Sequence, residues 1–337
     1  MTLIETADAV TKSPALVSIA LCTYNGSRFL AQQLDSLLSQ THPHLEIVVV
    51  DDASTDDTVA ILERYARLDR RIDISINAVN VGFAQNFDRA LTRCRGVFIA
   101  PCDQDDIWLP EKISALVAAI DEHPGAALAY CDSTLVDEQG TPTGQRMSDI
   151  VPMPSTDDPV AFAFGNCVSG HAMLFRRELM RSVRPVPAEF FYDWWIAAVA
   201  ASAGGIVCVP RSLVLYRQHG ANVTDARLGE MMQEAGIDSQ RNSGAVAKRQ
   251  SSSDDKLRFL REAHRRIGAL AQLPGRHQPF IAELHRLWSA RETQWLSLAL
   301  GWFMLSHRRR LLALTKLSDK KQRRYARRFF RGLRGGS

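Results

Sequence analysis

The segment Glu46-Ile47-Val48-Val49-Val50-Asp51-Asp52 is a short apolar run, rich in β-branched residues, that ends in two carboxylates. Such a run predicts a buried strand. A helix is predicted to follow over Thr58–Leu68, capped by Ser54 or Thr55. A buried strand that leads through an acidic loop into a helix is the unit from which α/β proteins are built.

The same order recurs along the first 130 residues. Strands and helices that alternate at this spacing predict right-handed βαβ units, and hence a Rossmann-like, mostly parallel sheet with helices on both faces. Ligands of such sheets bind beyond the carboxyl ends of the strands. The predicted strands are Leu16–Leu21, Ile72–Ile76, Val97–Ala100 and Ala127–Cys131, and the predicted helices are Phe29–Leu38, Phe83–Cys94 and Glu111–His123.

The pattern loosens after residue 131. Prolines and polar residues between Asp132 and Asn166 indicate an insertion that contacts a substrate. Strands are again predicted over Cys167–Phe175 and Ile206–Tyr216, around a helix over Asp193–Ala203. We therefore expect one α/β domain over residues 16–224, with halves at 16–131 and 132–224, an N-terminal extension (1–15), a polar linker (225–255) and a basic helical tail (256–337).

The composition, 46% apolar and 23% charged, is that of a soluble globular protein with a large core. The six cysteines include no CxxC pair, so we expect neither a disulfide framework nor a zinc site, and a reducing cytoplasm. We expect no signal peptide, because residues 1–13 are polar and of mixed charge. The apolar run Trp295–Leu305 is shorter than the roughly 20 residues that a membrane-spanning helix needs.

The net charge of +4 conceals an uneven distribution. From Ser306 onward, twelve Lys and Arg accompany one carboxylate, Asp319, so the tail is near +11 and the body near −7. An acidic body argues against an enzyme whose main surface binds nucleic acid. In the tail, Tyr325, Phe329 and Phe330 alternate with arginines, as in helices that lie on an anionic membrane. Nucleic-acid binding, or a packed helix with a solvated face, would give the same charges.

Polar side chains mark four successive strand ends. Because the carboxyl ends of parallel strands share one edge of the sheet, five carboxylates would meet in one crevice and repel each other. A divalent cation that prefers oxygen ligands, Mg²⁺ or Mn²⁺, relieves that repulsion. We interpret Asp56 and Asp57 as helix-capping residues instead. The four segments are Thr23-Tyr24-Asn25, Asp51-Asp52, Asn80-Val81-Gly82 and Asp103-Gln104-Asp105-Asp106.

Two common phosphate-binding motifs are absent from the sequence. No GxGxxG follows the first strand, which argues against a dinucleotide site, and there is no GxxxxGK[ST] P-loop. A diphosphate would then be held by metal rather than by a glycine-rich loop. A nucleoside diphosphate-sugar fits that arrangement. Asp51 would accept the imide N–H of uracil or thymine, and Tyr24 would line the pocket.

Taken together, these segments resemble the family 2 glycosyltransferases of GT-A fold. The similarity covers residues 16–224, and two later segments resemble the rhamnosyltransferase-like branch. The segments that carry it are Ala20-Leu21-Cys22-Thr23-Tyr24-Asn25-Gly26, Val49-Val50-Asp51-Asp52-Ala53-Ser54-Thr55-Asp56, Asn80-Val81-Gly82 and Asp103-Gln104-Asp105-Asp106-Ile107-Trp108, and for the branch Asp193-Trp194-Trp195 and Tyr216-Arg217-Gln218-His219-Gly220.

The resemblance implies that residues 16–131 bind the donor nucleotide and that 132–224 hold the acceptor and the catalytic group. The loops after the first three strands would contact the nucleoside and form the wall beside it. The residues concerned are Thr23, Tyr24, Asn25, Asp51, Asp52, Asn80 and Gly82.

The resemblance also implies a metal site. Asp103 would lie near the ribose and the metal, and Asp105 would ligate the metal. His219 would reach the metal or the diphosphate. Gly170 matches the loop near the sugar and the acceptor.

Asp193 corresponds to the family's catalytic base, the last carboxylate of a Glu-Asp pair whose first position here is Tyr192. Inversion by direct displacement needs a carboxylate opposite the leaving phosphate to take the acceptor proton, and a helix N-terminus keeps such a carboxylate ionised. Capping of its own helix is the alternative role for Asp193. Trp194 or Trp195 would stack on an acceptor sugar, with the other in the core.

The sequence thus predicts an inverting, metal-dependent glycosyltransferase with a dTDP- or UDP-sugar donor, the branch suggesting rhamnose. The expected acceptor is a saccharide or lipid-linked saccharide of bacterial surface polysaccharide synthesis, at the cytoplasmic face of the membrane. A nucleotidyltransferase would need a glycine-rich, basic loop that residues 23–28 match poorly. A receiver-like signalling domain leaves Asp103–Asp106 and Asp193 unexplained. A non-catalytic sugar-nucleotide binder remains open.

Overall fold

The computed structural model describes residues 14–220, 253–293 and 296–330. The predicted N-terminal extension and polar linker therefore lie outside the described residues, apart from their last two and three positions.

The first half alternates strands and helices as predicted. All four strands are parallel, in the order β3-β2-β1-β4. The expected bounds are confirmed for α2 and β3, and shift by one or two residues elsewhere. The strands are β1 (Val17–Thr23), β2 (Leu45–Asp51), β3 (Ile72–Ile76) and β4 (Phe98–Cys102), and the helices are α1 (Ser27–Leu38), α2 (Thr58–Leu68) and α3 (Phe83–Arg93).

The part of the domain that follows β4 is less regular and contains short 3₁₀ turns at Pro159–Ala163, Gly170–Ala172 and Arg177–Leu179. Its strands continue the same sheet, so both parts of the domain share one layer. Its elements are β5 (Ile107–Trp108), α4 (Lys112–Glu122), β6 (Leu128–Val136), β7 (Pro142–Arg146), α5 (Met147–Ile150), β8 (Met173–Arg176), α6 (Met180–Val183), α7 (Tyr192–Ala203) and β9 (Ile206–Arg217).

The sheet continues past β4 as β8-β6-β9-β5, with β7 paired to β6. β6 and β9 are parallel, but β8 is antiparallel to both β4 and β6. One expectation was wrong, because the strand predicted over Cys167–Phe175 is extended only from Met173. Residues 167–172 are apolar because this irregular segment is buried, which hydropathy cannot distinguish from a strand.

The sheet packs its two faces against different helices. Successive side chains of a strand point to opposite faces. Ile19 and Leu21 of β1 pack with α1 and α4, whereas Ala20 and Cys22 pack with α3 and α7. The sheet is thus covered by helices on both faces, and its β1 and β4 ends point to one edge.

The C-terminal helices extend the core of the second half. Ile267, Leu284 and Met304 belong to the same buried cluster as α7. The Arg266 guanidinium donates to the Ala163 carbonyl oxygen at 3.0 Å. None of the described helices is long and apolar enough to cross a bilayer. These elements are α8 (Ser253–Leu270), α9 (Gln278–Thr293), α10 (Leu298–Ser306), α11 (Arg308–Leu311), α12 (Asp319–Arg327) and a final 3₁₀ turn (Arg328–Phe330).

Candidate active site

A cavity of about 720 Å³ opens beyond the carboxyl ends of β1 and β4. Residues from both halves of the domain line it, as expected where parallel strands end. Of the site residues predicted from the sequence, Asp51 alone is absent from the lining. The others that line it are Thr23, Tyr24, Asn25, Asp52, Asn80, Gly82, Asp103, Asp105, Gly170, Asp193, Trp194 and His219.

The loop after β1 is fixed in shape by the loop after β2. Asn25 adopts a left-handed conformation, with φ of 46°, which costs free energy unless contacts hold it. Its backbone N–H donates to Ser54 Oγ at 2.9 Å, and its Oδ1 accepts from the Thr55 N–H at 2.8 Å. The capping role predicted for Ser54 or Thr55 was therefore wrong, because both residues hold the β1 loop.

The start of α2 is stabilised by Asp56. Its Oδ1 accepts from the Thr58 N–H at 3.0 Å, and its Oδ2 accepts from the Ser27 N–H at 3.1 Å. Asp57 occupies the N-cap position without a side-chain capping bond. The structural role predicted for Asp56 agrees with this geometry, whereas the capping role of Asp57 does not.

Asp51 anchors the loops rather than facing the cavity. Its side chain is 0% exposed. Thr23 Oγ1 donates to Oδ2 at 2.7 Å, and Ser54 donates its hydroxyl to Oδ2 at 2.6 Å and its N–H to Oδ1 at 2.8 Å. Asp51 is therefore buried beneath the loops and does not line the cavity, and its direct contact with a nucleobase stays a prediction. Thr23, which Asp51 positions, does line the cavity.

Asp52 joins the end of β2 to the segment after β3. Its carboxylate accepts from Asn77 Nδ2 and from the N–H groups of Val81 and Gly82, at 2.8 to 2.9 Å. Gly82 has φ of 85°, a conformation that favours glycine. The wall formed by Asn80 and Gly82 is therefore held in place by Asp52.

Gln104 links the loops after β1 and β4. Its Oε1 accepts from the Tyr24 N–H at 2.8 Å, and its Nε2 donates to the Tyr24 carbonyl oxygen at 3.0 Å. A side chain at Gly26 would collide with the Gln104 amide, so glycine at this position leaves room for the bonds between Gln104 and Tyr24. Sequence reasoning gave Gln104 no role. The only available signal was its place between two carboxylates that were assigned.

Asp103, Asp105 and His219 meet at the cavity floor. His219 Nε2 lies 2.9 Å from Asp105 Oδ2. Burial, together with the charges of Asp105 and Asp193, raises the pKa of Asp103 to about 8. The predicted convergence of these acidic residues is present, and their mutual repulsion is that of a site built for a positive charge.

A second, fully buried layer lies behind this floor. Asp106 Oδ1 accepts from the Arg217 N–H at 3.0 Å, whereas Oδ2 has no hydrogen-bond partner within the described residues. Oδ2 lies 3.8 Å from His171 Nδ1. Burial raises the pKa of Asp106, and burial and the Lys112 charge lower the pKa of His171 to about 3. His171 is therefore neutral and able to ligate a metal. The sequence left it unassigned.

Lys112 supplies the positive charge behind this layer. It is completely buried, lies over the Trp108 ring and donates to the His171 carbonyl oxygen. Burial lowers its pKa to about 7. A buried cation this close to Asp106 offsets part of the carboxylate charge.

Arg217 connects the metal-ligand candidates to both halves. Its guanidinium donates to the Asp105 carbonyl oxygen, to the Glu138 carbonyl oxygen and to Gln32 Oε1, at 2.6 to 2.8 Å. It also lies 4.6 Å from the ring centroid of Phe29. Because β9 ends at Arg217, these contacts fix the position of His219, two residues further along the chain.

The donor set fits a hard divalent cation. Carboxylate oxygens with one or two imidazole nitrogens suit Mn²⁺ or Mg²⁺. One atom each from Asp103, Asp106 and His171 lie within 4.8 Å of one another, and the Asp105–His219 pair borders the same cavity. The unpartnered buried oxygen of Asp106 indicates that this floor is incomplete without a positive group.

Asp193 lies in the first turn of α7, on the catalytic half of the cavity. Its Oδ1 accepts from the Trp194 N–H at 2.7 Å, and it is close enough to Asp103 for its charge to raise the pKa of that residue. Tyr192 stacks on Phe87, and its hydroxyl fills the space beside Gly170 that a Cβ would occupy. Gly170 is therefore required for this close packing.

The two tryptophans after Asp193 both belong to the core. Trp194 is 1% exposed, and its indole N–H donates to the Phe162 carbonyl oxygen at 2.8 Å. Trp195 is also buried and donates to the Val183 carbonyl oxygen at 2.8 Å. Trp194 borders the cavity but exposes almost no surface, so its stacking on an acceptor sugar stays a prediction. Phe191, which is exposed at the cavity edge, is better placed.

Residues 18–184 match the family model for Glycosyl transferase family 2. This part of the chain is therefore similar to family 2 glycosyltransferases. The chain is 30% identical over 215 residues to an uncharacterized glycosyltransferase of Haemophilus influenzae, which covers 61% of this chain and 66% of that protein. It is 35% identical over 127 residues to the putative teichuronic acid biosynthesis glycosyltransferase TuaG of Bacillus subtilis, which covers 38% of this chain and 50% of TuaG.

The chain spans 60 to 66% of the length of the first curated proteins that it matches. Among solved structures, S. aureus TarS 1-349 in complex with UDP-GlcNAc superposes with a TM-score of 0.53 at 17% identity, covering 93% of this chain and 90% of that one. The likeness shows the fold, which is GT-A-like with a helical C-terminal region, as predicted.

Proposed function

We propose that this protein is an inverting, metal-dependent glycosyltransferase that uses a nucleoside diphosphate-sugar. The observation that carries the proposal is the cavity itself. It gathers the loops after β1 and β3, the acidic floor of Asp103 and Asp105, and the Asp193 carboxylate from the other half. The loops would contact a nucleotide, the acidic floor a diphosphate with its metal, and the Asp193 side an acceptor.

The donor nucleoside would lie against the loops after β1 and β3. Thr23, Tyr24 and Asn25 line this side, and Asn80 and Gly82 form its far wall. Half of the Tyr24 surface is exposed, so its ring is available to stack on a base. Asp51 and Asp52 would act through these loops, by fixing their positions.

Asp103, Asp105 and His219 would hold Mg²⁺ or Mn²⁺, with Asp106 and His171 behind them. A bound cation supplies charge neutralisation of the donor diphosphate as it departs. The protein's own residues bind and orient the reactants. Arg217 keeps the β9 end against Asp105, and Gln104 keeps the β1 loop against the floor.

Asp193 is the proposed catalytic base. The acceptor hydroxyl oxygen attacks the anomeric carbon, the bond from that carbon to the diphosphate oxygen breaks with its electron pair, and the hydroxyl proton passes to the Asp193 carboxylate. The first turn of α7 favours the ionised form of this group. Displacement from the opposite face inverts the anomeric configuration.

The proposal also covers the identity of the transferred sugar and of the acceptor. The resemblance to the rhamnosyltransferase-like branch favours dTDP-rhamnose, whereas TarS, named with UDP-GlcNAc, shares only the fold. The similarity to TuaG supports an acceptor in cell-surface polysaccharide synthesis, either a saccharide or a lipid-linked saccharide. The reaction would then take place in the cytoplasm, at the inner face of the membrane.

Thermal-shift measurements with UDP-, dTDP- and GDP-sugars, each with and without Mn²⁺, test donor binding. We expect at least one donor to stabilise the protein only when metal is present. Asp193→Asn should then keep that stabilisation and lose about 10³-fold in turnover, since a positioned general base contributes about 10² to 10⁴. Unchanged turnover would exclude Asp193 as the base, and absence of any turnover in the wild type would favour a non-catalytic sugar-nucleotide binder.

A further inference from the structure

Helix α10 has an apolar surface that is exposed among the described residues. Its sequence, Leu-Ala-Leu-Gly-Trp-Phe-Met-Leu-Ser, is apolar around its whole circumference, which is typical of a helix buried on all sides. Only one side is buried here, through Leu300 and Met304. Leu298 and Trp302, one turn apart, are 55% and 61% exposed.

The final 3₁₀ turn sets the edge of this surface. Phe330 packs on Gly301, where any side chain would collide with its ring. The Ser297 N–H donates to the Phe330 carbonyl oxygen at 3.1 Å, and the rings of Trp302 and Phe330 lie 5.7 Å apart. The exposed apolar residues are therefore held beside the C-terminal end of α12. We call Leu296, Leu298 and Trp302 the Trp302 face.

Basic side chains are concentrated on α12 and the final 3₁₀ turn, which pack against α10. Within residues 296–330, Asp319 forms ion pairs with Arg308, Arg309 and Arg323. Five other exposed basic side chains on or beside α12 have no carboxylate partner within the described residues, and two of them directly precede the Phe329-Phe330 pair. They are Lys320, Lys321, Arg324, Arg327 and Arg328.

We propose that the Trp302 face and α12 bind the surface of an anionic lipid bilayer. Exposed Trp and Leu side chains enter the boundary between headgroups and acyl chains, while neighbouring Lys and Arg side chains pair with lipid phosphates. A second copy of the chain would bring two surfaces near +11 together, which Coulomb repulsion opposes. Nucleic acid would pair with the basic side chains but would leave the apolar residues of the Trp302 face exposed.

Flotation of the full-length protein with vesicles tests this surface without any donor or acceptor. We expect binding to phosphatidylcholine vesicles that contain one third phosphatidylglycerol, and little binding to phosphatidylcholine alone. Because one basic residue near an anionic surface contributes about 1 kcal/mol, Lys320→Gln with Arg324→Gln should weaken binding roughly 30-fold. Leu298→Ser with Trp302→Ser should weaken it at least 10-fold.

Matched controls come from α2, which lies on the first half. Leu68 is 79% exposed, so Leu68→Ser controls for loss of an exposed apolar group, and Arg67→Gln with Arg70→Gln controls for loss of charge. Both control proteins should bind like the wild type. Failure to bind the anionic vesicles, or full binding by the Leu298/Trp302 variant, would overturn the proposal. So would a dimer in solution that the same variant abolishes.

Discussion

The loops after β2 and β4 both carry neighbouring carboxylates, yet their surroundings differ. After β2, Asp51 and Asp52 each accept three hydrogen bonds. After β4, Asp106 leaves one buried oxygen without a partner in the described part of the chain. Burial and neighbouring charges also raise the pKa of Asp103 to about 8.

The comparison separates two uses of the same side chain. A carboxylate whose oxygens are saturated by donors stabilises the loops that contact it. A buried carboxylate with few donors and charged neighbours destabilises the protein until a cation arrives. The β2 end therefore anchors the loops, and the β4 end is the proposed metal site, although an Asp stands at the end of each strand.

The largest expected effect is on catalysis. Asp105→Asn removes a proposed metal ligand at the β4 end, so we expect turnover to fall about 10³-fold. Turnover would be measured with the donor that stabilises the wild type. Asp121→Asn, at an exposed position of α4, serves as the matched control and should retain normal turnover. An equal loss of turnover in both variants would show that the effect does not come from a metal ligand at the β4 end.

Metal binding should stabilise the β4 end directly. At a concentration 100 times its dissociation constant, Mn²⁺ should add about 2.7 kcal/mol to the free energy of unfolding, and EDTA should remove that gain. Denaturant unfolding with and without Mn²⁺ measures it. The gain should disappear in Asp105→Asn and persist in Asp121→Asn. A wild type that unfolds identically with Mn²⁺ and with EDTA would rule out the site.

The two strand ends should also differ in metal-free stability. Asp52→Asn loses charge-assisted bonds from Val81 and Gly82, so we expect the free energy of unfolding to fall by about 2 kcal/mol. Asp106→Asn keeps an acceptor for the Arg217 N–H and removes a buried charge, so stability should fall by less than about 1 kcal/mol or rise. Urea unfolding in EDTA compares them. Similar losses would mean that both loops are anchors.

The smallest expected effect concerns the stability of the loop after β2. Burial favours a higher pKa for Asp56, but bonds from Thr58 and Ser27 outweigh it and lower the pKa from 3.8 to about 2. The resulting stability is present above pH 3.8 and is lost as the pH falls through about 2. After discounting for exposure, Asp56→Asn should cost about 1 kcal/mol at pH 5 and progressively less in urea unfolding at pH 4 and 3.

Asp57→Asn is the control, since its side chain makes no capping bond. It should change stability by less than about 0.5 kcal/mol at every pH. A pH-independent loss in Asp56→Asn would show that the carboxylate charge does not stabilise the loop.

The sequence by itself determined the first half and its ligand-binding edge. Each strand from β1 to β4 is a local run of apolar residues, and each helix between them has its own periodic face, so local patterns suffice. Parallel connection then places the polar strand ends at one edge. The alternation therefore predicts that Asp103 and Asp105 lie in the same crevice as the loops after the other strands, whereas only the family resemblance adds His219 to this group.

Only the tertiary structure decided which carboxylates face the cavity. Asp51 and Asp103 each follow a strand, but the donors that saturate Asp51 come from residues 23 and 54, and the Arg217 bond to Asp106 spans 111 positions. The burial of both Trp194 and Trp195, the antiparallel β8 and the exposed Trp302 face likewise depend on packing between distant segments. Local sequence carries no record of such contacts, because hydrogen bonding and burial are properties of the assembled chain.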